Sequence, residues 1–199
     1  GLMSILKSKD HILIPDSVYG STRRFVKEEF PRLNIQFEFY NSRDLKHLES
    51  LIRDNTSAIY LESPGTYTFE IIDIQKVVNI SKKYNLKTLI DNTWATALYF
   101  NPLEFGVDIV IEAITKYISG HSDIMMGAVV GNDENFIELK RWTKNSGIYV
   151  SPDDVYLSLR GLRTLPLRLR QSSDNSLAIA QFLENKDEVK KVIHPALPQ

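Results

Sequence analysis

The chain has 199 residues, with 24 Lys and Arg against 25 Asp and Glu, so its formal net charge is only -1. This balance, together with 43% hydrophobic residues, excludes disordered and collagen-like chains. It also argues against binding to nucleic acid or to a membrane surface. The chain contains no Cys, which excludes a disulfide scaffold and thiolate chemistry and fits a cytoplasmic protein.

Short apolar runs rich in β-branched and aromatic residues alternate with segments of helical period. The runs predict strands at 11–14, 36–40, 57–61, 87–90, 109–114 and 126–130. The intervening segments predict helices at 22–30, 44–53, 73–84 and 134–144. This alternation is typical of an α/β fold, in which helices sandwich a mostly parallel sheet.

The pattern changes after Ser151. Pro152 and the acidic residues that follow it open one predicted helix, a longer helix is expected over 164–184, and residues 189–193 form a strand candidate. We therefore predict an α/β domain over 1–165 and, over 166–199, a long helix and the start of an incomplete C-terminal domain. Because the chain starts at Gly1 inside an apolar helical pattern, we expect the N-terminal part of the first domain to be missing.

Polar residues follow three of the predicted strands, where open α/β sheets bind their ligands. The three segments are 16–20, 91–94 and 115–117. A carboxylate, a lysine and an aromatic ring at one sheet edge are typical of a pyridoxal phosphate site. Alternatives remain open, since Lys116 could be a solvated loop residue, Asp91 a turn or cap residue and Tyr19 a half-buried surface ring.

Residues 113–123 read Ala-Ile-Thr-Lys-Tyr-Ile-Ser-Gly-His-Ser-Asp. This string resembles the lysine signature of the Cys/Met-metabolism family of pyridoxal-phosphate enzymes, the cystathionine lyases and synthases. The resemblance continues in family order at residues 16–19, 62–65, 90–94, 160–165 and 194–198. It implies that residues 1–165 correspond to the large cofactor domain of fold type I pyridoxal-phosphate enzymes.

The resemblance also implies roles for individual residues. Lys116 would carry the cofactor covalently and shuttle protons, Asp91 would partner the pyridine nitrogen, and Tyr19 would stack on the ring as a further catalytic residue. Contacts with the phosphate are implied for Thr115, Gly1 and Leu2. Ala113 stands where many relatives have Ser, so one hydroxyl contact with the phosphate is expected to be lost.

Gly65 and Trp94 resemble the bacterial cystathionine β-lyase branch. That branch cleaves cystathionine, a small sulfur amino acid, to homocysteine, pyruvate and ammonia in methionine biosynthesis and transsulfuration. The resemblance also implies a cytoplasmic homotetramer, assembled as a dimer of dimers. A γ-lyase or γ-synthase is one alternative. A truncated or split, inactive relative is another, because a Tyr-x-Arg pair and the arginine that grips the substrate carboxylate belong to segments outside residues 1–199. We therefore expect these residues alone to show little lyase activity.

Several charged residues are set aside. The basic stretch of Arg160, Arg163, Arg168 and Arg170 is interpreted as solvated helix faces, salt bridges or a subunit contact, and not as a nucleic-acid site. His121 has no second ligand nearby in the sequence and is interpreted as structural, so no metal site is predicted. The residues after it, Ser122 and Asp123, are expected to bond to the local backbone.

Overall fold

A computed structural model describes residues 1–198. Its strands are β1 (His11–Pro15), β2 (Gln36–Tyr40), β3 (Thr56–Glu62), β4 (Lys87–Asp91), β5 (Ile109–Glu112) and β6 (Ala128–Gly131). Its α-helices are α1 (Leu2–Ile5), α2 (Gly20–Glu29), α3 (Leu45–Ser50), α4 (Ile74–Lys83), α5 (Thr96–Tyr99), α6 (Asp133–Asn145), α7 (Pro152–Leu162) and α8 (Leu165–Glu184). Short 3-10 helices lie at Pro31–Leu33 and Pro102–Phe105. The α/β fold predicted from the sequence is confirmed.

The strands form one six-stranded sheet in the order β2-β1-β3-β4-β5-β6. The pairs from β2 through to β5 are parallel, and β6 runs antiparallel to β5 with Val130 opposite Val110. From β1 the chain passes to β2 on one side and then crosses to β3 on the other. The loops after β1 and β3 therefore diverge at a topological switch point, which is where open α/β sheets bind ligands.

Both faces of the sheet are buried, which explains why its central strands are almost continuously apolar. On β1, Leu13 belongs to one core cluster, whereas its neighbours Ile12 and Ile14 belong to the other. The first cluster includes residues of α3 and α4, and the second includes residues of α2 and α6. The helices thus cover opposite faces, as the alternating sequence pattern predicts.

Short polar side chains cap several of the helices. The Asp44 carboxylate accepts hydrogen bonds from the first amides of α3, and Asp73 does so for α4. Asn132 and Ser151 cap α6 and α7 in the same way. Each cap satisfies amides that have no partner within the helix, so these residues decide where the helices begin.

The described chain divides into two compact units. The sheet unit comprises Gly1–Glu112 and Ala128–Tyr149, and the lysine unit comprises Ala113–Gly127 and the chain from Val150 onward. The predicted domain boundary between residues 165 and 166 stays a prediction.

The strand predicted at 189–193 is wrong. A strand is held by hydrogen bonds to a neighbouring strand, and this segment joins no strand of the described residues. The amide of Val189 donates instead to the carbonyl of Lys186 in a turn.

None of the helices within residues 1–198 has both the length and the apolar character needed to cross a lipid bilayer.

Candidate active site

Asp91 is the last residue of β4 and lies opposite Glu62, the last residue of β3. Its Oδ1 accepts a hydrogen bond of 2.9 Å from the amide of Thr93. The Asp91 carboxylate therefore also bonds to the backbone of the turn, which is the alternative role that the sequence left open for it. Asp91 is half-buried, so it presents a carboxylate at the carboxyl edge of the parallel sheet.

A second carboxyl group, Glu112, lies at the end of the adjacent strand β5. Glu112 is buried, and its Oε1 accepts a hydrogen bond of 3.3 Å from Nδ2 of Asn92. Burial raises the pKa of Glu112, the bond from Asn92 opposes that rise, and the negative charge of Asp91 adds to it. Glu112 lies inside the strand predicted at 109–114, so the sequence carries no signal for a site residue there, whereas the observed strand ends at Glu112.

Tyr19 lies just before α2, in the loop that follows β1. Its amide donates a 3.0 Å hydrogen bond to Oε2 of Glu62, and Oε1 of the same carboxylate accepts from the hydroxyl of Thr66. The amide of Thr66 in turn donates to the carbonyl of Ser17, at 2.9 Å. Glu62 thus joins the loops after β1 and β3 at the switch point, a role that its position in the sequence does not indicate. The side chain of Tyr19 is 40% exposed, which leaves ring surface available for stacking.

Gly65 lies where the loop after β3 packs tightly against its neighbours. A Cβ at this position would lie 2.6 Å from Oγ of Ser17 and 2.8 Å from Cδ of Glu70, so a larger residue would have to displace one of them. Burial alone would raise the pKa of Glu70, but hydrogen bonds from the hydroxyls of Thr68 and Ser42, among others, bring it below its usual value. The loop is therefore packed around an ionised carboxylate.

Gly1 and Leu2, for which the resemblance implies phosphate contacts, lie at the start of α1. The carbonyl of Gly1 accepts hydrogen bonds from the amide and hydroxyl of Ser4, at 3.0 and 2.6 Å. A Cβ on Gly1 would lie 2.9 Å from Cδ1 of Ile111, so this turn packs closely on β5. The phosphate contacts of Gly1 and Leu2 stay predictions.

In the lysine unit, Lys116 lies in a tight turn. The amide of Lys116 donates to the carbonyl of Ala113 at 3.0 Å, and the amide of Gly120 donates to the carbonyl of Lys116 at 2.8 Å. The hydroxyl of Thr115 donates to the carbonyl of Met126 and accepts from its amide, at 3.1 and 2.9 Å. That hydroxyl is thus engaged in holding the turn, and the contact implied between Thr115 and a phosphate stays a prediction.

A cavity of about 770 Å³ lies beside this turn. Its polar lining residues are Thr115, Lys116, Ser122, Asp123, Asp154, Arg168 and Ser172. The primary amine of Lys116 can bond to the aldehyde carbon of pyridoxal phosphate, and the hydroxyl groups of the cavity can bind a phosphate. The chemistry of this cavity therefore fits the cofactor.

The loop after Lys116 also holds His121 and Asp123. Nδ1 of His121 lies 2.6 Å from the carbonyl of Ser119, and because a carbonyl only accepts, this nitrogen carries the proton. This local bond agrees with the structural interpretation of His121. The expectation for Asp123 is wrong, because its carboxylate forms an ion pair of 3.0 Å with Arg160 and not a bond to the local backbone.

The residues with implied roles are divided between the two units. Within the sheet unit, the structure connects Tyr19 to Glu62 through a hydrogen bond and places Asp91 opposite Glu62 in the sheet. Within the lysine unit, Thr115 and Lys116 line one cavity.

A family model for Cys/Met metabolism PLP-dependent enzymes matches residues 1–199. The chain belongs to this family. Its members depend on pyridoxal phosphate, so the cofactor expected from the sequence is that of the family.

Individual relatives differ in the reaction that their names describe. The chain is 40% identical to the L-alanine/L-glutamate racemase of Wolbachia pipientis over 99% of its length and 48% of that relative. It is 38% identical to the cystathionine beta-lyase of Bordetella avium, over 98% of the chain and 49% of the relative.

The solved structure of a cystathionine gamma-lyase from Lactobacillus plantarum, complexed with L-serine, is also similar. It superposes with a TM-score of 0.95 at 31% identity, over 99% of this chain and 52% of that one. The chain thus spans about half the length of the relatives it matches.

Proposed function

We propose that the protein is a pyridoxal-phosphate-dependent carbon–sulfur β-lyase that cleaves cystathionine to homocysteine, pyruvate and ammonia. The observation that carries this proposal is the position of Lys116. It lies in a turn that follows β5 by four residues in the chain and lines a cavity with hydroxyl groups beside it. The family's dependence on pyridoxal phosphate supplies the cofactor.

The proposed roles follow from the chemistry of each side chain. When bound, the cofactor supplies an electron sink for the carbanion formed at the substrate's α-carbon. Nζ of Lys116 holds the cofactor and, once displaced by substrate, removes the α-proton. Asp91 supplies the negative charge that keeps the ring nitrogen protonated, and the ring of Tyr19 stacks on the cofactor. Contacts with the phosphate are proposed for Thr115, Gly1 and Leu2.

Two residues support a β-lyase over the γ branches. Gly65 follows Ser63 and Pro64, and Trp94 follows Asn92 and Thr93, both of which resemble the bacterial β-lyase pattern. The close packing of Gly65 against Ser17 and Glu70 leaves no room for a Cβ, which explains why this position takes a glycine.

Racemisation of an amino acid is a second candidate. It is favoured by the 40% identity to the L-alanine/L-glutamate racemase of Wolbachia pipientis. Removal of the α-proton by a lysine begins both reactions, so Lys116 and Asp91 fit either of them. What separates the two is whether the group on the β-carbon leaves or a proton returns to the α-carbon.

The lysine is tested by chemical trapping. The protein is incubated with pyridoxal phosphate, reduced with borohydride and digested, and the phosphopyridoxyl group is mapped by mass spectrometry. We expect the label on Lys116 and none in Lys116→Ala. A label on Lys82, Lys83 or Lys87, which lie at the end of α4 and the start of β4, would overturn the proposal.

The reaction is tested by its products. With cystathionine as substrate, we expect a full-length enzyme that carries residues 1–199 to form pyruvate and homocysteine in equal amounts, and its Lys116→Ala variant to form neither. The appearance of 2-oxobutyrate and cysteine would assign the protein to the γ-lyase branch. Formation of D-alanine or D-glutamate from the L-amino acids, without pyruvate, would favour racemisation instead.

The assembly is part of the same proposal. The family resemblance supports a cytoplasmic dimer of dimers with residues 1–165 as its cofactor domain. Light scattering on the purified protein measures its mass directly, and a monomer at micromolar concentration would contradict this assembly.

A further inference from the structure

Arg168, the fourth residue of α8, binds the backbone of the loop that follows Lys116. Its Nη1 donates a 2.7 Å hydrogen bond to the carbonyl of Tyr117. Its Nη2 donates to the carbonyls of Ile118 at 3.2 Å and Gly161 at 2.7 Å. Its Nε donates to the hydroxyl of Thr164 at 2.9 Å. One guanidinium thus connects the lysine loop, the end of α7 and the start of α8.

This contact is close-packed as well as hydrogen-bonded. Gly120 has a φ of +72°, and a Cβ at that position would overlap the guanidinium of Arg168. A Cβ on Gly161 would overlap the carbonyl of Ser119 in the same loop. Two glycines therefore let a helix and an arginine approach the loop backbone, which is a common structural use of glycine.

The chemistry of the contact needs an arginine. A guanidinium is planar and holds its N–H donors in a fixed fork, so it sets the relative positions of several carbonyls at once. A lysine offers one flexible charged group and cannot reproduce that fork. From the sequence, the basic stretch that includes Arg168 is interpreted as solvated helix faces, salt bridges or a subunit contact, whereas in the structure Arg168 is partly buried and bonded to main-chain carbonyls.

We infer that Arg168 is a positioning residue for Lys116, because its guanidinium fixes the carbonyls of the two residues that directly follow the lysine. Arg168 also lines the cavity beside Lys116, but its guanidinium is bonded to the loop backbone, to Gly161 and to Thr164, so the proposed role acts through the loop backbone. The turn's own bonds, such as Gly120 to Lys116, shape the turn internally, while Arg168 anchors it to α7 and α8. This inference rests on the proposed role of Lys116.

The first test is hydrogen exchange measured by mass spectrometry on the protein without cofactor. In Arg168→Ala, we expect the amides of residues 117–120 to exchange about tenfold faster, since bonds to a charged donor are lost. A peptide covering β3 should exchange at the wild-type rate. Arg170→Ala is the matched control, because Arg170 is an exposed arginine on the same helix, and it should change neither peptide.

The second test measures how the lysine reacts. The rate at which pyridoxal phosphate becomes fixed on Lys116 by borohydride should fall about tenfold in Arg168→Ala. Arg168→Lys should recover only a small part of that rate, because it lacks the fork. The pH at which the absorbance of the bound cofactor changes should also shift, which a merely structural residue would not cause.

Thr164→Val is a milder variant that keeps the inference testable if Arg168→Ala fails to fold. It removes the acceptor of Nε and the 3.2 Å hydrogen bond from the Thr164 hydroxyl to the carbonyl of Gly161, but it keeps the bonds from Arg168 to the loop, so a smaller change is expected in the same peptide. Equal acceleration of exchange in all peptides, or faster exchange at 117–120 with an unchanged trapping rate, would overturn the positioning role. Neither measurement depends on cystathionine cleavage, so failure of the proposed reaction is distinguishable from failure of this inference.

Discussion

His11, at the start of β1, shows how a single buried side chain couples this fold to pH. Its imidazole is 0% exposed, and Nδ1 lies 2.9 Å from the hydroxyl of Thr56. Nε2 is buried with no hydrogen-bond partner among residues 1–198. Burial, helped by the positive charge of Arg53, lowers the pKa of His11 from 6.5 to about 4. The folded protein therefore keeps this histidine neutral.

Stability should consequently fall in mild acid. Below pH 6.5 the unfolded chain binds a proton at His11, whereas the folded protein does not bind it until about pH 4. The free energy of unfolding therefore decreases as the pH falls between those values, by about 3 kcal/mol in total. His11→Gln should remove this part of the pH dependence in denaturant unfolding from pH 8 to pH 4.5. The control is His47→Gln, at an exposed position of α3. Parallel stability curves for the wild type and His11→Gln would contradict the prediction.

Glu112 has the opposite dependence on pH. Because burial raises the pKa of Glu112, the folded protein binds a proton there more readily than the unfolded chain, and stability is lost as pH rises above the unfolded value of 4.5. Glu112→Gln keeps an acceptor for Nδ2 of Asn92 and removes the charge. We expect it to stabilise the protein by about 1 kcal/mol at pH 7 and to have little effect at pH 4. Destabilisation at pH 7 would mean that the ionised carboxylate contributes to folding.

Among single residues, the sequence indicates those site candidates that lie in a local motif. Lys116 and Asp91 are visible because each follows a strand and lies in a motif. Glu62 and Arg168 were missed because their partners come from other segments. Glu62 binds the loops after β1 and β3, and Arg168 binds a loop about fifty residues earlier in the chain. No spacing rule connects such groups, since only the fold brings them together.

Among the elements, α7 contains a residue whose poor helix propensity is offset by its packing. Gly161 is the tenth residue of this helix, where replacement of Gly by Ala ordinarily stabilises by roughly 0.5–1 kcal/mol. A Cβ at this position would overlap the carbonyl of Ser119. We therefore expect Gly161→Ala to destabilise the protein, by about 1–3 kcal/mol.

The sign of that change is measured by denaturant unfolding. The control is Gly20→Ala, because a Cβ on Gly20, the first residue of α2, would meet nothing within 4 Å. It should leave stability unchanged or slightly increased. A gain in stability for Gly161→Ala would show that α7 moves away from the lysine loop at little cost.

The start of a helix was predictable where a side chain caps its first amides. Caps such as Asp44 and Asp73 begin α3 and α4 within one residue of the expected positions. The start of the chain shows an apolar helical pattern, and the four-residue helix α1 lies there. The four-residue helix α5 was not predicted, because so short a segment shows no helical period. Residues 189–193 have the composition of a strand, but composition cannot supply the neighbouring strand that would bind them.

For the whole molecule, the alternation of strands and helices predicted the class of fold but not the arrangement of the sheet. Apolar runs indicate strands buried on both faces, yet they do not say which strands are neighbours. The order β2-β1-β3-β4-β5-β6 depends on pairing between segments far apart in the chain. The switch point between β1 and β3, which positions Tyr19 and Glu62, therefore emerges only from the assembled sheet.

Binding of the cofactor to the folded protein should be visible as thermal stabilisation. A ligand that binds only the folded state contributes about 2.7 kcal/mol at a concentration one hundred times its Kd. For a chain of this size that corresponds to a rise in Tm of roughly 5–10 °C. This measurement reports affinity without reference to turnover, so it separates docking of the cofactor from its chemistry.

The Asp91→Asn variant tests cofactor binding and turnover separately. Asparagine keeps an Oδ1 that can accept the hydrogen bond from the amide of Thr93, which is 2.9 Å long in the wild type. It carries no charge to hold the ring nitrogen protonated. In a full-length enzyme that carries residues 1–199, we expect the thermal shift with pyridoxal phosphate to stay near the wild-type value while turnover falls by about a hundredfold or more, as when a group that stabilises charge in the transition state is removed. Asp91→Ala should in addition lower stability, because the bond to Thr93 is lost. If Asp91→Asn loses the thermal shift and turnover to the same extent, or loses neither, then Asp91 does not set the electronics of the cofactor.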